Sequence, residues 1–420
     1  MNDKQLDEPG KQEKNTISFE NTAYAFAAKT DAALKKAHFL FSSMGKPWLV
    51  NLGLKLTPFA IKWHLPFTKS IIRSTIFQQF VGGETLDETA IVAKKLAEYN
   101  VQVILDYGVE GGDDGEAGFD HATEEFLKVI NYAATQPNVP FMSIKVTGFA
   151  RFTLLEKIDN LMNKADGTLM KRYLYVIDNL PAGEKEEWHK VRLRMMKLCE
   201  VASKKNVGIL VDAEESWIQD PVDALTVLMM DSFNKTKAVV YNTIQLYRHD
   251  RLQFLKDSFG AAQERNFILG VKLVRGAYME KERARALELN YSSPIQPDKN
   301  TCDKDYNEAI AFCVANIDKL FVIVATHNEY SNLLATELLV QNGLPLTHPN
   351  IHFSQLYGMS DNITFNLAKA GCPVSKYLPF GPIKDVIPYL MRRARENSSV
   401  AGQTGRELAL IKKELERRRV

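Results

Sequence analysis

Eight short apolar runs, each followed by a longer helical pattern, constrain this chain more than any single motif. They are VQVILDY (from Val101), VPFMSIKV (from Val139), VGILVDAEE (from Val207), AVVYNTIQLY (from Ala238), FILGVKLVRGAY (from Phe267), LFVIVATHN (from Leu320), IHFSQLYG (from Ile351) and PVSKYLPFG (from Pro373). The runs are rich in β-branched residues and nearly continuously hydrophobic. A strand covered on one face would alternate apolar with polar residues, whereas a parallel strand covered on both faces need not. Helical connectors make successive strands into βα units, and eight such units in one chain predict an α/β fold closed as a (β/α)8 barrel. A doubly wound open sheet is the alternative. It lacks a GxGxxG turn after the first strand to support it.

The connector after the second strand is long, from Arg151 to about Asn206. It is broken at KADG (164–167) and at LPAGEKEE (180–187), which predicts an insertion with extra helices. Residues 1–85 read as an N-terminal helical arm or cap, and 86–420 as the barrel domain that would carry the chemistry. From Trp48 to Phe80 the arm is apolar with interspersed Lys55, Lys62, Lys69 and Arg73 and with Trp48 and Trp63. Such a stretch either packs on its own domain or lies on a membrane surface, and both readings stay open.

Composition narrows the class. The chain is 45% hydrophobic and 25% charged, as globular enzymes are, and its net charge of +2 gives no reason to expect nucleic acid or an acidic partner. Cys199, Cys302, Cys313 and Cys372 form no CxxC pair, which fits a reducing cytoplasm better than a disulfide scaffold or a structural zinc site. The opening residues MNDKQLDEPGKQEKN resemble neither a secretory signal nor an arginine-rich transit peptide. A cytoplasmic location is therefore expected, with peripheral contact on the inner face of the membrane as an option.

Barrel enzymes place their chemistry at the C-terminal ends of the strands. Those ends carry Lys145; Asp212 with Glu214 and Glu215; Gln245; Lys272, Arg275 and Tyr278; Thr326 and His327; Gln355; and Tyr377. A lysine within MSIKV is costly to bury unpaired, and Asp212 on the adjacent strand is its natural partner. Lys145 or Lys272 could alternatively form a Schiff base, as in a barrel lyase. A non-catalytic binding barrel is the third option. No second histidine stands at ligand spacing from His327, so no catalytic metal is expected. The acidic loop GVEGGDDGEAG (108–118) does not match the spacing of an EF-hand and reads as a solvated loop.

The segment YLPFGPIKDVIPYLMRRARENSS (377–399) reads as a strand, a Gly-Pro turn and a helix. Tyr389 lies three residues before Arg392 and four before Arg393, on one side of that helix. Guanidinium forks bind carboxylates bidentately, and tyrosine offers a flat wall with a polar tip. The arrangement suits a small carboxylate with an apolar body, although a solvated basic helix end would read the same way.

Together with VKLVRGAYMEKERARA (271–286), VDAEES (211–216) and ATHN (325–328), this segment resembles proline dehydrogenase, most closely its single-function form. The likeness covers about residues 75–400, in the right order. It implies a distorted (β/α)8 TIM barrel holding noncovalent FAD, whose final helix lies over the barrel mouth. By position it implies that Arg392 and Arg393 bind the proline carboxylate, that Lys145 and Asp212 form a charged pair beside it, that Tyr278, Tyr377 and Tyr389 wall the ring, and that Leu273 is an apolar contact. It assigns Ala213, Gln245, Lys272, Arg275, Gly276, Ala277, Thr326 and His327 to the flavin side, with Asp212 and Lys272 bearing on catalysis. Many bacterial members carry arginine where this chain has Lys272 and lysine where it has Arg275, so the geometry near the flavin would differ while a cation remains at both places. The implied reaction oxidises L-proline to 1-pyrroline-5-carboxylate, with electrons passing to a quinone and the product to a separate pyrroline-5-carboxylate dehydrogenase. Hydroxyproline oxidation is the related alternative. Members that prefer it tend to have a smaller residue at the Tyr377 position.

Overall fold

The computed structural model describes residues 17–63, 67–108, 115–398 and 403–420. The opening polar stretch up to residue 15 and most of the acidic loop, residues 109–114, lie outside the described residues.

All eight expected strands form. They are β1 (Gln102–Tyr107), β2 (Phe141–Ile144), β3 (Gly208–Val211), β4 (Val240–Gln245), β5 (Leu269–Val274), β6 (Leu320–Ala325), β7 (Ile351–Leu356) and β8 (Val374–Phe380). They pair in parallel and in sequence order, and β1 closes on β8. Asn100, Asn206 and Asn266 precede β1, β3 and β5 with φ of 58°, 58° and 54°. Asparagine tolerates this left-handed turn, which ends a helix and redirects the chain into the next strand.

Alternation along the strands explains the near-continuous hydrophobicity. One set of side chains, including Val103, Met142, Ile209, Val271 and Phe353, packs outward in a large core shared with the surrounding helices. Burying each such side chain contributes roughly 1.5–3 kcal/mol. The other set faces the lumen, where Ile104, Phe141, Leu210, Tyr241 and Ile323 form a separate apolar plug. Its rings meet edge to face, Phe141 to Tyr241 at 5.5 Å and Tyr241 to Phe321 at 5.2 Å between centroids. Two residues further along β1 to β4 the lumen turns polar. Ile104 gives way to Asp106, Phe141 to Ser143 and then Lys145, Leu210 to Asp212, and Tyr241 to Thr243 and then Gln245. The polar layer, and with it the candidate site, therefore lies at the C-terminal mouth, beyond the apolar plug.

Three helices follow β2, at Phe152–Met162, Leu169–Asp178 and Ala182–Lys205. The first break falls where Thr168 caps the next helix by accepting from the Lys171 amide. The second falls at Pro181, immediately before the longest of the three. Ahead of β1 come the helices Thr22–Ala25, Asp31–Met44, Pro47–Lys62 and Thr68–Ile72, a π-helical turn at Arg73–Phe77, and the helix Leu86–Ala97.

The helix Ile383–Ser398 does not pack back beside β8. Gly381, at φ 140°, turns the chain away immediately after that strand. Ile383, Val386, Ile387, Leu390 and Ala394 then bury against Ala37, Phe41, Val50, Ile72 and Phe77 of the N-terminal helices. The terminal helix Gln403–Arg418 joins the same cluster through Leu410 and Ile411. Gly358 marks a further close approach: a Cβ there would stand 1.9 Å from the Gln79 carbonyl oxygen.

Candidate active site

Asp212 follows β3 at the level of Thr243 on β4, which pairs with Lys272 on β5. Its carboxylate makes an ion pair with Lys272. It also accepts from Ser143 Oγ at 2.6 Å and from the Tyr377 hydroxyl at 2.7 Å. Burial alone would raise its pKa, but the Lys272 charge and the hydrogen bonds from Lys272, Ser143 and Tyr377 hold it below the usual carboxylate value. The cation paired with Asp212 comes from β5, where the expectation had put Lys145 of β2 in that place. In a barrel, residues of one level come from alternate strands, so β3 and β5 meet across the lumen while β2 contributes to the adjoining layer.

Asp106, at the end of β1, belongs to the same cluster and is a residue that sequence reasoning missed. It is 8% exposed. Burial pushes its carboxyl up to about 6; Asp212 adds to this, while Lys145, Tyr377 and Lys272 oppose it. The signal was present in VQVILDY, which carries an acid near its end as the second and third runs carry Lys145 and Asp212 near theirs. Ser143 was also missed, since a serine inside an apolar run reads as filler until its partner is known.

The helix over the mouth brings its tyrosine and arginines to this cluster. Tyr389 lies in the field of Arg393, Arg392 and Asp106, and Tyr278 in that of Lys145 and Arg392. The Arg393 guanidinium stands 5.3 Å from the Tyr389 ring centroid and grips Glu396 through two bonds of 2.6 Å. Arg393 Nε and the Tyr389 hydroxyl are buried with no hydrogen-bond partner among the described residues. Lys272 Nζ stands 5.4 Å from the Tyr377 ring centroid. Asp106, Lys145, Asp212, Lys272, Tyr278, Tyr377, Tyr389, Arg392 and Arg393 thus converge.

Leu273 does not join them. It is fully buried in the outer core, and its carbonyl accepts from the Tyr306 hydroxyl at 3.0 Å. With Lys272 inward, strand alternation sends Leu273 outward. Its chemical type suited a ligand wall, but its parity did not.

A second polar group lines the β4 to β6 side of the mouth. Gln245 is buried and donates to the Glu214 carbonyl at 2.6 Å and the Tyr247 hydroxyl at 2.8 Å. Arg275 lies 3.7 Å from the Tyr306 ring centroid and donates to Asp303 at 2.9 Å, Thr326 at 2.6 Å and Ser331 at 2.8 Å. These contacts hold the guanidinium rigidly where β5 ends. Gly276 and Ala277 continue from it toward solvent, and Ala213 sits half-buried after β3. His327 Nδ1 lies 2.9 Å from Ser360 Oγ. Burial, with Lys376, Arg393 and Arg275 nearby, lowers its pKa to about 3 and keeps the ring neutral.

Comparison with known proteins identifies the family and the fold. The family model described as "Proline dehydrogenase" matches residues 90–406. The chain is 35% identical to Proline dehydrogenase 1, mitochondrial, of Dictyostelium discoideum, over 83% of this chain and 65% of that one. It is 33% identical to the carbapenem antibiotics biosynthesis protein CarD of Pectobacterium carotovorum subsp. carotovorum, over 88% of this chain and 92% of that one. Among solved structures, proline utilization A (PutA) from Bdellovibrio bacteriovorus, inactivated by N-propargylglycine, matches with a TM-score of 0.68 at 18% identity, over 93% of this chain and 40% of that chain. The chain therefore shares that fold while spanning under half of PutA and about two thirds of the Dictyostelium protein.

Proposed function

This chain belongs to the proline dehydrogenase family, and on that premise we propose that it oxidises L-proline to 1-pyrroline-5-carboxylate using noncovalently bound FAD. The observation that carries the reading is the convergence of Tyr389, Arg392 and Arg393 onto the Asp106, Lys145, Asp212 and Lys272 cluster, with a buried guanidinium Nε and a buried phenol unpartnered. A zwitterion with an apolar ring matches this set. Its carboxylate meets arginine, its ammonium meets carboxylates, and its methylenes meet tyrosine faces.

The family is generally flavin-dependent, and the donor set fits such a group. Arg275, locked by three side chains and a ring, supplies a fixed fork for a phosphate or a flavin edge. Neutral His327, Thr326, Gln245 and the Gly276–Ala277 backbone add uncharged donors. FAD, when bound, supplies the acceptor for the hydride that leaves proline C5. Lys272 would hold positive charge beside the flavin, and Asp212 fixes where that charge stands. Arg392 and Arg393 would anchor the carboxylate and set the orientation of C5. Asp106, with its raised pKa, would accept the proton lost by the substrate nitrogen. Lys272 is tied to Asp212, which suits a fixed charge better than a Schiff-base nucleophile.

Electrons would pass to a quinone, and the product to a separate pyrroline-5-carboxylate dehydrogenase. A peripheral membrane contact is supported by the helix Pro47–Lys62. Trp48, Leu49, Leu52 and Leu56 are 66%, 37%, 47% and 53% exposed on one helical face, followed by exposed Trp63, Phe67 and Ile71. Among the described residues no helix is long and apolar enough to cross a membrane.

The deciding experiment is proline-dependent reduction of a dye by the purified protein, with its visible spectrum recorded. Flavin absorbance and turnover are expected, and Arg392→Met should raise KM for proline by about tenfold or more. A colourless protein, or unchanged kinetics in the variant, would overturn the assignment.

A further inference from the structure

The terminal helix reaches the barrel mouth through Glu407, next to Arg406, which grips Glu329 just after β6. Glu407 lies on its inner face, 5% exposed, and its carboxylate accepts the backbone N–H of Ser360. Ser360 precedes the helix Asp361–Lys369 and departs twice from what a serine at a helix start does. It sits at φ 50° and ψ 44°, in the left-handed region, where such a residue is ordinarily extended, and its side chain makes no capping bond. Both departures have a partner in the structure. The amide is held by Glu407, and the hydroxyl is spent on His327 Nδ1 at 2.9 Å. Buried charges pack the same turn. Lys376 Nζ bonds Asp361 at 2.8 Å and the Met359 carbonyl at 2.5 Å, and Lys29 approaches Asp361 at 3.3 Å.

We propose that Glu407 is a positioning residue of the cofactor side of the site: it holds Ser360 in its left-handed turn, and Ser360 in turn fixes the ring of His327 and leaves Nε2 for the flavin. The terminal helix is then part of the active site, 80 residues beyond the histidine it orients. The relay's geometry stands on its own contacts; its consequence for flavin rests on the reading of His327 as a cofactor contact. A left-handed serine is strained unless its surroundings impose it, and an acceptor on its amide is such a surrounding.

The test uses the full chain with nitrogen-15 histidine. The wild-type His327 ring should keep the signals of one neutral tautomer from about pH 5 to 9. Glu407→Ala should shift them by releasing Ser360. Ser360→Gly accepts the same φ without strain and should shift them by removing the hydroxyl. Glu407→Gln keeps a carbonyl acceptor and should restore the wild-type signals. FAD affinity, read by quenching of flavin fluorescence, should fall about tenfold in the alanine and glycine variants and recover in Glu407→Gln. Unchanged His327 signals in Glu407→Ala and Ser360→Gly would overturn the proposal, as would a glutamine variant no better than alanine. A wild-type chain that takes up no FAD would instead overturn the flavin reading, while the nitrogen signals still decide the relay.

Discussion

Replacing Lys272 with methionine isolates the pair at the centre of the mouth. The two side chains are of similar length, so the loss is one of charge. Lys272 and Asp212 are 6% and 14% exposed, and removing one member of such a buried pair typically costs about 3–5 kcal/mol. Asp212 keeps the hydroxyl bonds from Ser143 at 2.6 Å and Tyr377 at 2.7 Å, which places the loss near the lower end, about 3 kcal/mol. For 420 residues the unfolding entropy is roughly 0.9 kcal/mol/K, so the melting temperature should fall by about 3 °C at pH 8. The pH dependence is the sharper signature. In the wild type Asp212 titrates below its unfolded value, so its contribution is present at neutral pH and is lost only as pH falls through that depressed value. Without Lys272, burial, the largest influence on Asp212, is opposed mainly by the hydroxyl bonds from Ser143 and Tyr377, and the folded value rises above the unfolded one. Ionising Asp212 then destabilises the fold as pH rises, and the deficit of Lys272→Met should grow from about pH 5 to pH 8. Thermal melts of wild type, Lys272→Met and Lys272→Met/Asp212→Asn across that range measure it. The double variant should recover stability at pH 8. A deficit independent of pH, or a double variant worse than the single one, would refute the argument.

Three further outcomes follow from other parts of the site. Ionised Asp106 is needed to accept the amine proton, so kcat/KM should rise with pH through about 6, and Asp106→Asn should remove that limb while leaving flavin bound; an unchanged profile would exclude the role. The Tyr377 hydroxyl is anchored 2.7 Å from Asp212 and cannot readily swing aside for a ring substituent, so proline should be preferred to trans-4-hydroxyproline, and Tyr377→Ser should narrow the ratio; equal kcat/KM for both substrates in the wild type would contradict this. Replacing Trp48, Leu52 and Leu56 together with serine should abolish co-sedimentation with anionic vesicles without lowering the melting temperature, because these side chains are exposed; retention on vesicles would place any contact elsewhere.

The sequence by itself determined the barrel. Eight runs that only burial on both faces makes sense of, separated by helix-length connectors, leave few other closures, and local signals such as Pro181 and Thr168 marked the breaks in the insertion. It also named most of the polar side chains that meet at the mouth, because strand-end position and residue type are both one-dimensional properties. What it did not decide was who faces whom. Lys145 and Lys272 are equally good partners for Asp212 on paper, and the choice of Lys272 comes from the staggered layers of a closed barrel. Leu273 was lost to strand parity, and Asp106 was found only when β1 was set beside β8 and its acid came within the field of Lys145 and Asp212. The approach of Glu407 to Ser360 joins positions 47 residues apart in the chain. Such a contact has no sequence period to reveal it, since it depends on how the helices over the mouth pack together and only tertiary structure sets that.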